Sequence, residues 1–326
     1  MASKTAFFDK VQALTEACLT RRRAIQRIRK EKQRAKNPVL DWVEAFIWAA
    51  GVVLLINQYL FQAYQIPSGS MIDTLLINDR IFVNKLVYGP ELLPGVGKLP
   101  SPFKPRREDV IIFENPEYFS RGPLFDIAQR IIYMLTLSMV DIDRSESGEP
   151  RVHFLIKRAA GMAGDRIETR KGELYFCFAG EDRWISEGEY LVLRGFNHRL
   201  SRLVEESWYP ALEAMGAAEG YMDLGLAPPA GLMEAAGAYG SRYGDSFVKE
   251  SARFSVIRGA YPQNERYRTL VLKQRRWYVP EGRILPLGDN RDNSHDGRFF
   301  GTVKASRILG QGAFKYWPLG RLGRIK

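Results

Sequence analysis

Residues 45–71 read AFIWAAGVVLLINQYLFQAYQIPSGSM and carry no charged side chain, with Glu44 before them and Asp73 after. The apolar core runs from Ala45 to Ile56, and Tyr59, Leu60 and Phe61 carry it past Asn57 and Gln58. That length approaches the roughly 20 residues a bilayer requires. Trp48 and Tyr64 suit the two interfaces. A buried core helix and the apolar part of a cleavable signal peptide compete with this reading. A signal peptide would need an unusually long basic region, and no small-x-small cleavage site follows before Ser70. The stretch therefore predicts an N-terminal transmembrane helix, with Ile66-Pro67-Ser68-Gly69-Ser70-Met71 just outside the membrane. A nucleophile held there meets chains that emerge from the bilayer.

Charge gives the orientation. Residues 21–36 hold nine Lys or Arg against Glu31, which is +8 of the chain's net +11. The high basicity thus belongs to one tail beside the span, and the positive-inside rule places that tail in the cytoplasm and the body outside. A basic arm for nucleic acid is the rival, but the tail lacks interleaved aromatics and abuts the span, so no nucleic-acid partner is expected. The expected partner of this region is the lipid bilayer.

The two cysteines, Cys18 and Cys177, fall on opposite sides of the membrane in this topology and cannot pair within one chain. Cys177, in an apolar run, reads as a small core hydrophobe. His153, His198 and His295 are scattered, without metal-ligand spacing, so no metal site is expected.

Beyond the span the chain reads mainly as strands: Ile81–Val83, Val110–Phe113, Val152–Ile156, Glu173–Phe178 and Ile284–Leu287. Lys171-Gly172 suggests a hairpin, and Pro94-Gly95 and Gly288-Asp289-Asn290 mark loops. Residues 203–251 differ, being rich in Ala, Gly and Glu with helical pieces such as Leu203–Ala218, and look like an insertion.

Ser70, beside Gly69 and close to Ser68, offers a nucleophile and nearby donors, but a serine alone is weak and needs a base. None of the three histidines carries a local hint of that role. Lys157 lies on the same strand face as Leu155 beside an apolar run, where burial would favour the neutral amine. An exposed strand lysine is the ordinary alternative.

Three blocks tip the balance. They are Pro67-Ser68-Gly69-Ser70-Met71 with Arg80–Lys85; Ile156-Lys157-Arg158 with Gly161 and Gly164-Asp165; and Gly288-Asp289-Asn290-Arg291-Asp292-Asn293-Ser294-His295-Asp296-Gly297-Arg298. Together they resemble the type I signal peptidases, the leader-peptidase family of membrane-anchored serine/lysine proteases, and the third block is the most specific. The resemblance implies a mainly β fold: an antiparallel-sheet catalytic domain with an inserted second domain and an N-terminal transmembrane helix. It implies Ser70 as nucleophile, Lys157 as general base, Ser294 as its orienting group, and the Ser70 N–H with the Ser68 hydroxyl as oxyanion donors. Asp289, Arg291, Asp296 and Arg298 then read as scaffold for the loop. Ile66, Ile72 and Leu155 adjoin these residues and would line substrate pockets. No cofactor is implied, and the partners would be exported preproteins with signal peptides, cleaved after small residues at −1 and −3.

The expected organisation is a cytoplasmic tail at 1–38, an anchor at 39–64, a catalytic β domain at 65–167 and 277–326, and an inserted variable domain at 168–276. The protein would cross the inner membrane once, with its catalytic domain on the periplasmic or extracellular side. Two other functions compete: a Ser/Lys protease with one dedicated substrate, and a catalytically silent membrane-anchored scaffold. The chain departs from the family pattern at Gly297, where a serine is usual, at Ala163, where a proline is common, and at Glu108, where glycine is usual. Gly297 is expected to loosen the loop that positions Ser294. Residues 124–140 are apolar enough to suggest a second span, but Asp126 and Arg130 interrupt them. An interfacial or core helix is expected there.

Overall fold

The computed structural model describes residues 15–27 except Cys18, 38–93, 96–145, 148, 151–170, 172–196, 198, 200–261 and 276–325. Cys18, the Pro94-Gly95 turn, Lys171 and the basic residues from Arg29 to Lys36 lie outside them. The chain packs as two units, Met1–Val53 and Leu54–Lys326.

Helix α1, Pro38–Tyr59, is 22 residues long and opens on a proline, whose fixed φ and missing N–H suit a helix start. Its most apolar 18-residue window is 0% buried, and Trp42, Phe46, Ile47 and Trp48 are all exposed. The helix is long and apolar enough to cross a membrane. It ends earlier than the sequence suggests, because Phe61–Gln65 forms strand β1. Residues 61–65 therefore belong to the sheet and not to the anchor. The turn is held where the Gln58 amide donates to the Glu91 carbonyl at 2.9 Å and where Gln62 to Tyr64 pair with β2 and become buried.

The remaining strands are β2 (Arg80–Asn84), β3 (Glu91–Leu93), β4 (Val96–Lys98), β5 (Val110–Glu114), β6 (Phe154–Gly161), β7 (Arg166–Arg170), β8 (Glu173–Cys177), β9 (Ile185–Ser186), β10 (Arg276–Tyr278), β11 (Arg283–Leu287), β12 (Val303–Lys304), β13 (Ile308–Trp317) and β14 (Gly323–Arg324). Among the described residues the main sheet runs β1-β2-β13-β5-β6-β11-β12, with β14 added on β13, and its pairings are antiparallel. β13, the longest strand among the described residues, lies inside the sheet between β2 and β5, although Gly310 and Gly312 break its apolar pattern. A second antiparallel sheet, β10-β7-β8-β9, contains the hairpin expected around Gly172.

The inserted region adds helices α3 (Glu187–Arg194), α4 (Tyr209–Asp223), α5 (Ala230–Gly237) and α6 (Ser246–Ala260), with α2 (Pro123–Leu135) between β5 and β6 and α7 (Gly297–Phe300) after β11. α3 is capped by the Ser186 hydroxyl and α6 by the Asp245 carboxylate, both accepting first-turn N–H groups. One core joins the two sheets: Ala160, Leu285 and Leu287 pack with Ile167, Leu174, Phe176 and Phe247. The expected boundaries at 167/168 and 276/277 fall inside β7 and β10, so the inserted region shares its core with the catalytic sheet. Cys177 is buried and unpaired by any disulfide, but its thiol is not a purely apolar filler: it accepts from Arg166 and donates to the Glu181 carbonyl, each at 3.0 Å. α2 has 13 residues, about 20 Å of helix, too short to cross a hydrocarbon core of about 30 Å.

Candidate active site

Ser70 lies in a single 3₁₀ turn, Gly69–Met71, directly after β1 and the extended residue Ser68. The turn's apolar members hold it in place: Met71 and Leu75 are fully buried with Ile66, Ile81 and Ile112. Lys157 comes from the middle of β6, opposite Ile111 of β5. The two chain segments meet so that the Lys157 Nζ donates to the Ser70 Oγ at 2.6 Å. Both residues are buried, at 3% and 8% exposure. Burial pushes the Lys157 amine down to about 8, against the opposing pull of Asp296 and Asp289. An amine poised near neutrality can accept a hydroxyl proton, which an ordinary surface lysine cannot.

His153 and His295 are held by carboxylates, and His198 lies beside Glu108 with its Nε2 buried and without a hydrogen-bond partner among the described residues. His153 Nε2 lies 2.8 Å from Asp143, His295 Nε2 2.7 Å from Glu117, and His198 Nε2 3.4 Å from Glu108. The Ser68 hydroxyl donates to the Ser70 Oγ at 3.4 Å and remains exposed to solvent. Ser294 is 3% exposed, and its hydroxyl has no hydrogen-bond partner among the described residues. A methyl group at Gly288 would collide with both the Ser294 hydroxyl and the Ser70 carbonyl oxygen, so Ser294 stands directly beside the nucleophile's turn. Only glycine at 288 leaves room for that approach.

The loop from Asp289 to Arg298 is held by charges, with partners that the sequence alone did not reveal. Asp289 takes two hydrogen bonds from the neighbouring Arg158, at 2.7 and 2.6 Å, and one from Thr74. Burial alone would raise its pKa, but Arg158 holds the carboxyl below the usual range. Arg291 reaches into the inserted region and pairs with Glu187 of α3 at 2.5 Å, both groups being almost fully buried. Arg298 pairs with Asp296, whose other oxygen accepts the Gly288 N–H at 2.9 Å. Asp292 accepts the N–H groups of Leu203 and Val204, again from the inserted region. Asn290 clamps the nucleophile's turn directly: its N–H donates to the Ser70 carbonyl and its side-chain amide to the Gly69 carbonyl, each at 3.1 Å. Arg158, Glu187, Asn290 and Thr74 thus join the site by position. Only Arg158 and Asn290 had a signal, since they lie within the motif blocks.

Two expectations change. Ile66 is 3% exposed and packs among Tyr64, Met71 and Leu75, so it is a core residue, whereas Ile72 and Leu155 keep part of their surface. Gly297 does not loosen its loop, because it is buried at the start of α7, where a Cβ would lie 2.7 Å from the Pro286 carbonyl oxygen and 2.8 Å from Leu285 Cδ1. Gly297→Ser is therefore expected to cost about 1–3 kcal/mol by overpacking, seen as a lower urea midpoint. The usual glycine at position 108 is explained by a φ of 70° at Glu108, a left-handed conformation that strains any side chain. The Glu108 carboxyl is buried beside Arg158, and desolvation, with the nearby Glu187, pushes it up to about 7.

A β-sheet body with a buried serine–lysine pair, preceded in the chain by a helix long and apolar enough to cross a membrane, has the parts expected of a serine hydrolase. The model of the signal peptidase family, peptidase S26, matches residues 39–192 and 240–317. The chain is similar to signal peptidase I of Haemophilus influenzae, with 26% identity over 304 residues covering 89% of this chain and 76% of that one. It is also similar to signal peptidase I of Pseudomonas aeruginosa, at 26% identity covering 84% and 68%. The corresponding enzyme of Aquifex aeolicus is 28% identical, covering 81% and 79%. The chain belongs to the signal peptidase family, peptidase S26, a family of serine endopeptidases.

Proposed function

We propose that this protein removes N-terminal signal peptides from exported preproteins by acyl transfer through Ser70, with Lys157 as general base. The observation that carries the proposal is the 2.6 Å hydrogen bond between a buried lysine amine and the Ser70 hydroxyl. Neutral Lys157 takes the hydroxyl proton as Ser70 attacks the scissile carbonyl. The Ser70 N–H, near the start of its short helix and without an intrahelical acceptor, and the Ser68 hydroxyl receive the oxyanion. The tetrahedral intermediate collapses, the amine leaves with the proton from Lys157, and water hydrolyses the acyl-enzyme. Ser294, buried beside the turn with an unpartnered hydroxyl, orients the amine. No step calls for a cofactor.

The substrate adds as an extended strand beside the catalytic sheet, with small residues at −1 and −3 entering shallow pockets that Ile72 and Leu155 help to line. The tail is cytoplasmic, α1 is the single span, and the body faces the periplasm or the cell exterior.

The test is cleavage of a model preprotein in lipid, with the product's new N-terminus sequenced. Ser70→Ala should leave the circular dichroism unchanged and abolish cleavage; a Ser70→Ala protein that still cuts would sink the assignment. The base must be neutral, and below about 8 Lys157 is increasingly protonated. kcat/KM should therefore climb about tenfold per pH unit toward pH 8 and level off above it. A flat profile across that range would remove Lys157 as base.

A further inference from the structure

The segment between β5 and β6 is a built element whose outward face is inverted relative to a soluble surface. Its base is closed by the Asn115 N–H donating to the His153 carbonyl at 2.9 Å and by the Asn115 amide donating to the Val152 carbonyl at 2.8 Å. Asp143, with 0% exposure, gathers Tyr118, His153 and Arg121 around it. The charged and amide side chains of α2 turn back into the protein: Asp126 accepts from Ser120, Gln129 donates to Asp141, and Arg130 pairs with both Glu91 and Glu114 at 3.0 Å. Beneath the helix Met134 is buried and Tyr133 packs against Tyr64 of β1, with ring centroids 6.1 Å apart.

Every exposed residue from 124 to 140 is apolar. Leu124, Ile127, Ile131 and Leu135 form a stripe at helical spacing along α2, and Met139 and Val140 extend it, with Leu124 84% and Met139 61% exposed. A surface helix in water shows the opposite arrangement, with charges outward.

We infer that α2 and the turn after it lie in the outer lipid–water interface, as a second contact with the bilayer that α1 crosses. The occupant is lipid because of where the helix is fastened. The Ser138 hydroxyl donates to the Ala63 carbonyl on β1. Ala63 is four residues past the end of α1, at most about 14 Å of chain. The exposed Leu60 and Phe61 continue the apolar surface along that same connection. At about 20 Å the helix is the right size to lie in the interface plane and too short to cross. It would hold the catalytic sheet close to the lipid surface. The inference rests on α1 spanning the membrane and does not depend on the assignment of the nucleophile.

The test uses the full chain with Cys18→Ser, reconstituted in vesicles of phosphatidylethanolamine and phosphatidylglycerol; the buried Cys177 stays in place. Nitroxide labels are attached singly through Ile131→Cys on α2, Ile47→Cys on α1 and Glu234→Cys on α5, all exposed positions. Collision with oxygen should exceed collision with a water-soluble nickel chelate at Ile131 and Ile47, and the preference should reverse at Glu234. Nickel preference at Ile131 with oxygen preference at Ile47 would overturn the lipid contact while leaving the anchor standing. Shielding of Ile131 from both reagents would overturn it in favour of a protein partner, a second copy included. Nickel preference at Ile47 would overturn the anchor and the inference together.

Discussion

Lys157→Met is expected to abolish preprotein cleavage and, at neutral pH, to raise the thermal unfolding temperature by several degrees. The two effects have one cause. The amine is 3% exposed, and burial lowers its pKa from 10.5 to about 8. Between those values the unfolded chain binds the proton more tightly than the folded one. Stability therefore rises as pH climbs from about 8 to 10.5, and the full penalty is present below about 8. A difference of that size corresponds to about 3 kcal/mol. Methionine keeps the side chain's bulk without the charge, so it relieves much of that penalty and offsets the lost hydrogen bond to Ser70. The measurement is paired thermal melts of both proteins at neutral pH and near pH 10.5, beside a cleavage assay. The stabilisation should shrink at the higher pH; an equal or lower melting temperature at pH 7 would contradict the buried-amine account, and residual cleavage would place the base elsewhere.

Glu187→Ala is expected to destabilise the protein and disable the site, although Glu187 lies in the inserted region. Its carboxylate holds Arg291, and both are nearly sealed from water at 4% and 1% exposure. Removing one partner of a buried pair leaves the other charge uncompensated, at a typical cost of about 3–5 kcal/mol. Arg291 donates back to the Gly288 carbonyl, at the glycine that separates Ser294 from the Ser70 turn. The damage should therefore reach kcat as well as stability. Urea unfolding and single-turnover cleavage would read both, and a variant with wild-type stability would show that Arg291 finds another counter-charge. The paired change Glu187→Met with Arg291→Met should recover much of the stability, since a buried ion pair replaced by apolar groups is often neutral.

The same pair shows why part of the site was hidden in the sequence. A motif reading assigned Asp289, Arg291, Asp296 and Arg298 to a mutually supporting loop. Asp296 and Arg298 do pair with each other, but Asp289 and Arg291 turn outward to Arg158 and Glu187. Residue spacing does not reveal which opposite charge a buried group finds, because the choice depends on strands and helices brought together over more than a hundred positions. β13 carries a weak strand signal for a local reason, since two glycines interrupt the apolar alternation that marks a strand. The end of the anchor was overrun because Phe61–Gln65 is apolar enough to extend a span, and only its pairing with β2 makes it a strand.

What the amino-acid order determined by itself was whatever depends on neighbours along the chain. The uncharged run before Ser70, the basic tail, the hairpin at Gly172 and the motif blocks around Ser70, Lys157 and Ser294 are all local patterns. The tertiary structure decided what depends on burial and approach. It carried Lys157 into a dry position against the Ser70 hydroxyl and set Asn290 across the turn that presents it. It also gave Gly297 a packing role and left the outer face of α2 apolar and uncovered. A lysine pKa falls toward neutrality where the fold excludes water, and that exclusion is a property of packed sheets, not of any short stretch of chain.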